Sequence, residues 1–427
     1  MQKLNLFRLL FLFVGVMMSS CSSNDEGGGG DTGSNSITIS SDVNTVEVGE
    51  SFNFTVKDND NNDVTSSSTI YVDDTAISGS VFTPNEEGTY EVYATYQELT
   101  TGTITLTATA SSALTSISVV PDQTEVLVGE QITFSVVGNN GEDFTDDATI
   151  YVDGVALEGN TFVSDERGVF EAYADYEDFT SETESVLVGH TKKVLIEDYT
   201  GAWCGWCPRV AYGIELVEQQ TDNAVVVAIH RGASSGSYYD PFNYPAEALE
   251  NLIGLEGYPT AKINRMLDWA YPEPNNVAQV ISQTYGVSKY GLELSSELNG
   301  STLDVSVKMS FLGENADNKK LVVYVLEDGL VQDQTNYTNY YGGSAVLQDF
   351  VHDNVLRQVP TGLLGENIAE ADFDTDSNAY VKDYSFALSG NIEDTNNLSV
   401  VAFVISSNTN FTLNSQKAAV GETKAFD

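Results

Sequence analysis

The chain has 427 residues and carries 63 Asp and Glu against 18 Lys and Arg, a formal net charge of −45 at pH 7. Phosphate binding needs cationic patches, so this charge excludes nucleic acid as a partner, and an anionic lipid surface would repel the protein body. With 41% hydrophobic residues, the chain is long enough to build several domain cores.

Residues 1–20 have the pattern of an export signal. Two basic residues precede an apolar run at 9–18, which is too short to span a bilayer. Two serines then precede Cys21, and the segment resembles a bacterial lipoprotein signal peptide, which implies lipidation of Cys21. A cleaved signal with an unmodified Cys21 is the alternative. Residues 21–36 are rich in Gly and Ser, which predicts a flexible tether between the lipid and the first domain.

A repeat with a period of 80 residues organises the first half of the chain. The segment Thr69-Ile70-Tyr71-Val72-Asp73 returns as Thr149-Ile150-Tyr151-Val152-Asp153. Short alternating runs separated by Gly, Asn and Asp predict strands, and their order resembles immunoglobulin-like sandwiches. We therefore predict two tandem sandwiches, at 37–112 and 113–190. They serve either as spacers or as ligand-binding modules.

Residues 191–287 have a different pattern. Continuous apolar runs at 194–199 and 224–229 predict two parallel strands that are buried on both faces. Between them, the apolar spacing from Pro208 to Gln220 predicts a helix. The remaining predicted elements are a helix at 246–253, a turn and strand at 257–264, and a helix at 276–285.

Cys204 and Cys207 lie between the first of these strands and the first helix, in the segment Trp203-Cys204-Gly205-Trp206-Cys207-Pro208. Two thiols separated by two residues can close a small disulfide. The unpaired N–H groups of a helix start stabilise a thiolate there. The pattern therefore predicts a redox-active pair.

The order of these elements resembles the thioredoxin fold, and this resemblance predicts an α/β domain at 191–287. It implies that Cys204 is an exposed nucleophile, that Cys207 is the buried resolving thiol, and that Asp198 exchanges a proton with Cys207. Gly205-Trp206 between the cysteines departs from the family's usual residues, so the redox poise does not carry over. The resemblance also implies a cis bond before Pro259 and a substrate-binding surface formed by Trp203, Trp206, Tyr258, Pro259 and Thr260.

From about residue 190 to the end, the chain resembles the outer-membrane-protein-28-like family of Bacteroidota lipoproteins. The segments that carry this resemblance are 195–201, 203–208, 228–230 and 352–357. The resemblance implies a thioredoxin-like domain joined to a β-rich C-terminal domain at the outer membrane. Acidic residues Asp25 and Glu26 resemble surface-export signals. We expect a lipid-anchored protein at the cell surface, with outer-membrane proteins among its partners.

Residues 288–427 predict an antiparallel β-sandwich. The run at 302–309 alternates polar and apolar residues, and further strands are predicted at 321–326 and 398–405. The tyrosine-rich segment 336–343 is a candidate for recognising protein or glycan. A surface loop that packs on itself is the alternative.

Histidines and acidic clusters supply further candidates. His230 ends a parallel strand, where open sheets place ligands, and is either close to the disulfide or structural. His190 and His352 lack the spacing of zinc ligands. The clusters at 58–63 and 372–376 offer oxygens to calcium but lack the glycine and glutamate of an EF-hand, so calcium sites and solvated turns both stay open. No other cofactor is predicted.

Two functions remain open. The first is an extracytoplasmic thiol-disulfide oxidoreductase that exchanges disulfides with protein substrates through Cys204, Cys207 and Asp198. The second is a non-catalytic binding or assembly subunit of an outer-membrane complex, in which the disulfide only staples a helix end. A disulfide that closes so small a loop stabilises a fold little, which favours the first function.

Overall fold

The computed structural model describes residues 36–110 and 113–427. The chain divides into two compact units, within residues 1–112 and 113–427. The fold is multidomain and mostly β, with few helices, as the sequence predicts. The predicted signal peptide, most of the tether, and Cys21 lie outside the described residues.

The first unit contains one copy of the repeat. Its strands are β1 (Ile37–Ser41), β2 (Thr45–Glu47), β3 (Phe52–Asp58), β4 (Thr69–Val72), β5 (Thr75–Ala76), β6 (Val81–Phe82), β7 (Gly88–Tyr96), β8 (Leu99–Thr100) and β9 (Ile104–Thr109). They form two sheets, in the orders β1-β3-β6 and β2-β9-β7-β4-β5, with β8 on β7. Phe52, Phe54 and Val56 of β3 are buried while their neighbours are not, as the period of two predicts. The result is a two-layer sandwich.

The second copy repeats this architecture 80 residues later. Its strands are β10 (Ile117–Pro121), β11 (Glu125–Leu127), β12 (Gln131–Gly138), β13 (Thr149–Val152), β14 (Val155–Ala156), β15 (Thr161–Val163), β16 (Gly168–Tyr176), β17 (Phe179–Thr180) and β18 (Glu184–Thr191). The sheet orders are β10-β12-β15 and β11-β18-β16-β13-β14. Tyr151 stacks on Tyr173 at 4.8 Å between ring centroids, and Tyr71 stacks on Tyr93 at 4.9 Å in the first copy. Both copies are consistent with the predicted immunoglobulin-like sandwiches.

The rest of the chain supplies three α-helices and the remaining strands. The helices are α1 (Pro208–Glu218), α2 (Glu247–Ile253) and α3 (Val277–Ile281). The strands are β19 (Val194–Thr200), β20 (Ala224–His230), β21 (Thr260–Ile263), β22 (Leu267–Asp268), β23 (Val287–Ser288), β24 (Tyr290–Asn299), β25 (Thr302–Phe311), β26 (Lys319–Glu327), β27 (Leu330–Val331), β28 (Gln334–Thr335), β29 (Val346–Leu347), β30 (Val351–His352), β31 (Val355–Gln358), β32 (Glu366–Asn367), β33 (Phe373–Asp374), β34 (Ala379–Ala387), β35 (Leu398–Ser406), β36 (Thr412–Ala419) and β37 (Thr423–Lys424). Short 3-10 turns occur at Thr65–Ser67, Glu273–Asn275, Ser282–Thr284, Tyr340–Gly343, Glu370–Asp372 and Thr395–Asn397.

One mixed sheet crosses the domain boundary predicted at residues 287 and 288. Its order is β22-β21-β19-β20-β31-β26-β35-β36, with β32 on β26. β19 and β20 are parallel along their whole length, which confirms the predicted pair, and β21 runs antiparallel to β19. β20 then pairs with β31 at Ala228 and Val355. The apolar β20 thus gains a neighbour on each side instead of leaving an open sheet edge.

The two faces of this mixed sheet are covered differently. On one face, a single core lies under α2. It contains Tyr199 and Val227 from the strands before residue 287 together with Tyr324 and Phe403 from the strands after it. The opposite face is covered at one end by α1 and α3. At its other end, it packs against the antiparallel sheet β33-β34-β25-β24-β37. The predicted C-terminal sandwich therefore uses strands of the mixed sheet as its second layer.

Candidate functional site

Cys204 and Cys207 form a disulfide in the turn that joins β19 to α1. The backbone N–H of Cys204 donates to the carbonyl oxygen of Gly201 at 2.9 Å, which closes the turn. Pro208 begins the helix, where its missing N–H costs nothing. The sequence therefore places the pair at a strand end and a helix start, and the structure shows its oxidised form.

Residues of the predicted substrate-binding surface lie beside this turn. The Trp203 ring packs edge-on against Tyr258, at 5.8 Å between centroids, and against Tyr238 at 4.8 Å. The peptide bond between Tyr258 and Pro259 is cis. Thr260 pairs with Tyr199, so Pro259 lies beside the end of β19. Trp206 is exposed on the turn itself. The predicted residues thus come from two separate segments to one edge of the sheet.

Asp198 is buried in β19 and lines a cavity of about 100 Å³ together with Cys207. Within the described residues, its Oδ1 atom has no hydrogen-bond partner. Burial raises the pKa of Asp198 well above its ordinary value, and the charge of Glu273 adds to the effect, while Arg209 opposes it. Arg209 in turn forms a buried ion pair with Glu273. Asp198 therefore holds its proton to a higher pH than an exposed carboxyl does.

His230 lines the same cavity, which favours the prediction that placed it close to the disulfide. Its Nδ1 atom donates to Oδ2 of Asp240 at 2.9 Å. Asp240 also accepts the backbone N–H groups of Ala202 and Phe242, each at 2.8 Å. Although burial alone raises the pKa of Asp240, these hydrogen bonds and the His230 charge lower it overall. His230 and Asp240 thus fix the position of the cysteine turn.

His352 closes the cavity on the side of the C-terminal region. Its ring lies 5.0 Å from the His230 ring, and its Nε2 atom donates to the carbonyl oxygen of Gln332 at 3.3 Å. Burial, together with the His230 charge, lowers the pKa of His352 to about 3. His190 lies elsewhere, in β18, with its ring 5.4 Å from that of Phe426. His352 is therefore neutral at physiological pH.

A segment of the C-terminal region, residues 334–347, lies over the cysteine turn. We call it the strap. The Gln334 side chain donates from Nε2 to the carbonyl oxygen of Cys204 at 2.9 Å. The backbone N–H of Thr335 donates to Ala202 at 2.9 Å, and that of Tyr337 donates to Gly205 at 2.6 Å. The strap brings the predicted tyrosine-rich loop against the motif, where it packs on the cysteine turn and on α1.

The strap changes the expected accessibility of the cysteines. Cys204 is 3% exposed and Cys207 is 2% exposed. The expectation of an exposed Cys204 is therefore wrong for this oxidised form, because a segment about 130 residues further along the chain covers it. No pattern in the sequence around the motif predicts that contact.

The two acidic clusters proposed for calcium are turns held by their own hydrogen bonds. Asp58 accepts from the backbone N–H groups of Asp60 and Asn62, each at 2.9 Å. Asp374 accepts the Ser377 hydroxyl at 2.6 Å. Across residues 36–110 and 113–427, no group of three or more His, Cys, Asp or Glu side chains is arranged to hold a metal ion. In those same ranges no helix is long and apolar enough to cross a membrane.

Residues 246–424 match the model of a family described as Outer membrane protein Omp28. That stretch is Omp28-like. The match supports the family resemblance of the C-terminal region and confirms the predicted outer-membrane localisation. The matched stretch begins after the cysteine pair, so the motif lies outside it.

Solved structures provide further comparisons. HBP35 of Porphyromonas gingivalis is 16% identical over 54% of this chain and 76% of that chain, with a TM-score of 0.43. A domain of the outer membrane lipoprotein Omp28 from Porphyromonas gingivalis is 21% identical, with a TM-score of 0.22, over 31% of this chain and 89% of that chain. No curated protein matches the chain.

Proposed function

We propose that the protein is an extracytoplasmic thiol-disulfide oxidoreductase of the outer membrane, which exchanges disulfides with protein substrates through a thioredoxin-like region at 191–287. The observation that carries this proposal is the buried Asp198 carboxyl in the cavity behind Cys207. A carboxyl whose Oδ1 atom has no partner among the described residues is unfavourable to bury. A purely structural disulfide offers no reason to keep it there, whereas a leaving thiolate does.

In the oxidised form, a substrate thiol loses its proton to solvent and its thiolate attacks the Cys204 sulfur. The bond between Cys204 and Cys207 breaks, and the Cys207 thiolate takes a proton from Asp198. A second substrate thiolate then attacks the substrate sulfur of the mixed disulfide, and Cys204 leaves as a thiolate. Two electrons have moved from the substrate dithiol to the pair, and the substrate gains a disulfide. The reverse sequence reduces a substrate disulfide, with the direction set by the potentials of the two couples.

The cavity gives the proton a route between Asp198 and Cys207. Its volume of about 100 Å³ exceeds the roughly 10–15 Å³ that one water molecule needs. Because the pKa of Asp198 is raised by burial, its proton is available at a higher pH than that of an exposed carboxyl. In the reverse direction the carboxylate accepts the Cys207 proton, so the same group serves both reactions.

The alternative is a non-catalytic binding or assembly subunit, and the burial of Cys204 under the strap favours it. A disulfide that is sealed from every partner would serve only to tie the end of β19 to the start of α1. The two functions therefore differ in whether a protein substrate reaches Cys204.

Insulin reduction tests the proposal, with dithiothreitol as the electron donor. We expect the wild-type protein to accelerate insulin reduction and Cys204→Ser to abolish the acceleration, since Cys204 forms the mixed disulfide. Cys207→Ser is the matched variant: it keeps the nucleophile but lacks the resolving thiol, so, once reduced and freed of dithiothreitol, it should accumulate adducts with insulin on non-reducing gels. Oxidation of a reduced, unfolded protein by the oxidised form tests the other direction. Inactivity in both assays, together with no adducts of Cys207→Ser, would leave the assembly role.

Attachment to the membrane is a separate prediction. We propose that a lipid on Cys21 anchors the protein at the cell surface. Cys21→Ala should move the protein from the washed membrane fraction to the soluble fraction, because its hydrophobic anchor is lost. Cys204→Ser, which leaves the export signal intact, should stay with the membranes. Retention of Cys21→Ala after washing would show that a partner protein, and not the lipid, holds the chain.

A further inference from the structure

The strap is a preshaped hairpin. β28 pairs with β29, with Gln334 opposite Leu347 and Thr335 opposite Val346. Inside the hairpin, Asn336 Oδ1 accepts the backbone N–H of Thr338 at 2.9 Å and its hydroxyl at 2.6 Å. Its Nδ2 atom donates to the carbonyl oxygen of Ser344 at 3.0 Å. These contacts lie within the strap, so it can keep its shape when it leaves the cysteine turn.

The strap holds the cysteine turn mainly through hydrogen bonds to main-chain oxygens. The donors on residues 335 and 337 are two apart and reach the carbonyl oxygens of Ala202 and Gly205. An added strand offers N–H groups to an edge with the same spacing, because alternate residues of an extended chain point the same way. The strap therefore occupies main-chain acceptors that an extended polypeptide can use.

One aromatic side chain completes the cover. A Cβ atom at Gly205 would lie 2.3 Å from Cδ2 of Tyr337, so only glycine admits the ring at this distance. The Tyr337 ring also lies 5.9 Å from that of Trp206. Even so, Tyr337 is 63% exposed, which leaves little apolar surface to hold it down. Gln334 and Asn336 beside it are buried, but their side chains are polar, so the part of the strap over Cys204 buries little apolar surface and opens locally more easily than the core does.

The strap is also tied to α1, at positions five and eight residues after Cys207. The Tyr340 ring stacks on Tyr212 at 4.6 Å, and the Tyr341 hydroxyl donates to Glu215 at 2.7 Å. These contacts hold the far part of the hairpin, so the part over Cys204 can lift while the strap stays attached to the molecule.

We propose that the strap is a displaceable lid, whose place on the carbonyl oxygens of Ala202 and Gly205 is taken by an extended substrate segment that carries an aromatic residue. The closed lid shields the disulfide, and exchange takes place only from the open form. This inference rests on the proposed oxidoreductase function. It assigns to that function a substrate class, extended polypeptide with an aromatic residue, and it makes the strap a competitor of that substrate.

The rate at which dithiothreitol reduces the native protein measures lid opening. The dithiothreitol thiolate breaks the Cys204–Cys207 bond, the reagent is oxidised to its cyclic disulfide, and both protein thiols are released. We expect Tyr337→Ala to raise this rate about tenfold, since losing interactions of roughly the size of one hydrogen bond shifts opening by that factor. Tyr285→Ala is the matched control, because Tyr285 is 68% exposed and lies outside the strap. Equal rates in all three proteins would overturn the lid.

A second pair of variants tests the contact itself. Gly205→Ala should also speed reduction, because the added methyl group displaces the Tyr337 ring. In Gly205→Ala combined with Tyr337→Ala the rate should rise no further than in the faster single variant, since both changes remove the same contact. Independent, multiplying effects would show that the two residues act separately, against the lid.

Failure of the lid and failure of the function are distinguishable. Insulin reduction by the wild type, with no effect of Tyr337→Ala on dithiothreitol reduction, would overturn the lid alone. Faster dithiothreitol reduction of Tyr337→Ala, with no insulin reduction by either protein, would support opening but overturn the substrate role. If the variants do not fold, hydrogen exchange in the wild type decides. The amides of 335 and 337 should exchange faster than those of β35, and equal protection would contradict the lid.

Discussion

Replacing Arg265 with methionine should destabilise the protein by about 3–5 kcal/mol, the effect of breaking a buried ion pair. Arg265 is 0% exposed, and its Nη2 atom donates to Glu197 at 2.9 Å and to the Tyr324 hydroxyl at 2.8 Å. Its guanidinium carbon lies 4.9 Å from the centre of the Phe403 ring. Without Arg265, the buried Glu197 carboxylate has lost its cation, and burial of an unpaired charge is strongly unfavourable.

Urea unfolding of single and double variants measures this effect. Glu197→Met combined with Arg265→Met should lose much less stability than Arg265→Met alone, because no charge is left buried. Lys424→Met is a control for removal of an exposed cation, since the Lys424 side chain is 47% exposed. A free energy of unfolding for Arg265→Met within about 1 kcal/mol of the wild type, the usual range of a surface pair, would contradict the prediction.

Asp198→Asn should affect activity and stability in opposite directions. The amide cannot accept a proton from Cys207, so during substrate reduction the resolution of mixed disulfides by Cys207 should slow about a hundredfold, a typical effect for a lost general acid or base. In that direction the first attack, by the Cys204 thiolate on the substrate disulfide, does not need this group and should be little changed. Stability should rise at neutral pH, because the amide is not charged and burial no longer opposes ionisation.

The sign of the stability change follows from the raised pKa of Asp198. Between its unfolded and its folded pKa, the folded state binds more protons than the unfolded state, so wild-type stability falls as pH rises through that interval. For each unit by which folding raises the pKa of Asp198, the wild type loses about 1.4 kcal/mol of stability once the pH exceeds the folded pKa. The asparagine variant does not lose this stability. The gain in stability of Asp198→Asn over the wild type should therefore vanish below the unfolded pKa of Asp198 and grow as the pH rises above it.

Quenched-flow trapping of mixed disulfides and urea unfolding between acidic and neutral pH provide the two measurements. Asp222→Asn is the control, because Asp222 is exposed and does not line the cavity. The proton-exchange role would be wrong if Asp198→Asn resolved mixed disulfides at the wild-type rate. A stability difference that does not change with pH would show that the carboxyl is ionised to the same extent in both states.

The sequence predicted those strands whose burial shows in the local pattern of apolar and polar residues. The continuous apolar runs at 194–199 and 224–229 indicated strands covered on both faces, and β19 and β20 are such a parallel pair. The alternating runs of the 80-residue repeat indicated sandwiches, and both copies have the same strand order. In each case the order of apolar and polar residues within a short segment indicates whether one or both faces of the strand are buried.

The sequence also held a signal for the shared sheet. The runs at 321–326 and 398–405 are continuously apolar, as in β19, whereas the run at 302–309 alternates. Strands of the first kind need cover on both faces, which a two-layer sandwich at 288–427 does not supply. β26 and β35 indeed lie inside the mixed sheet, with one face on the antiparallel sheet and the other on the core under α2.

Contacts between distant segments could not be predicted in this way. Asp240 accepts from His230 and Ala202, yet nothing in its own loop marks it as part of the site. Gln334 reaches Cys204 across about 130 residues of chain. Such contacts depend on how whole elements dock, and docking is decided by the complete core, not by the spacing of residues within one segment.

The mixed sheet limits where this chain can be divided and fused to other proteins. Because residues on both sides of position 287 contribute to one core, a gene fusion made at that position would transplant half of a hydrophobic interior and expose the rest. The first compact unit has a core of its own, formed within residues 37–106, and a fusion point near residue 112 keeps that core whole. The Omp28-like stretch, which starts at 246, is thus a unit of sequence similarity and not a transferable cassette.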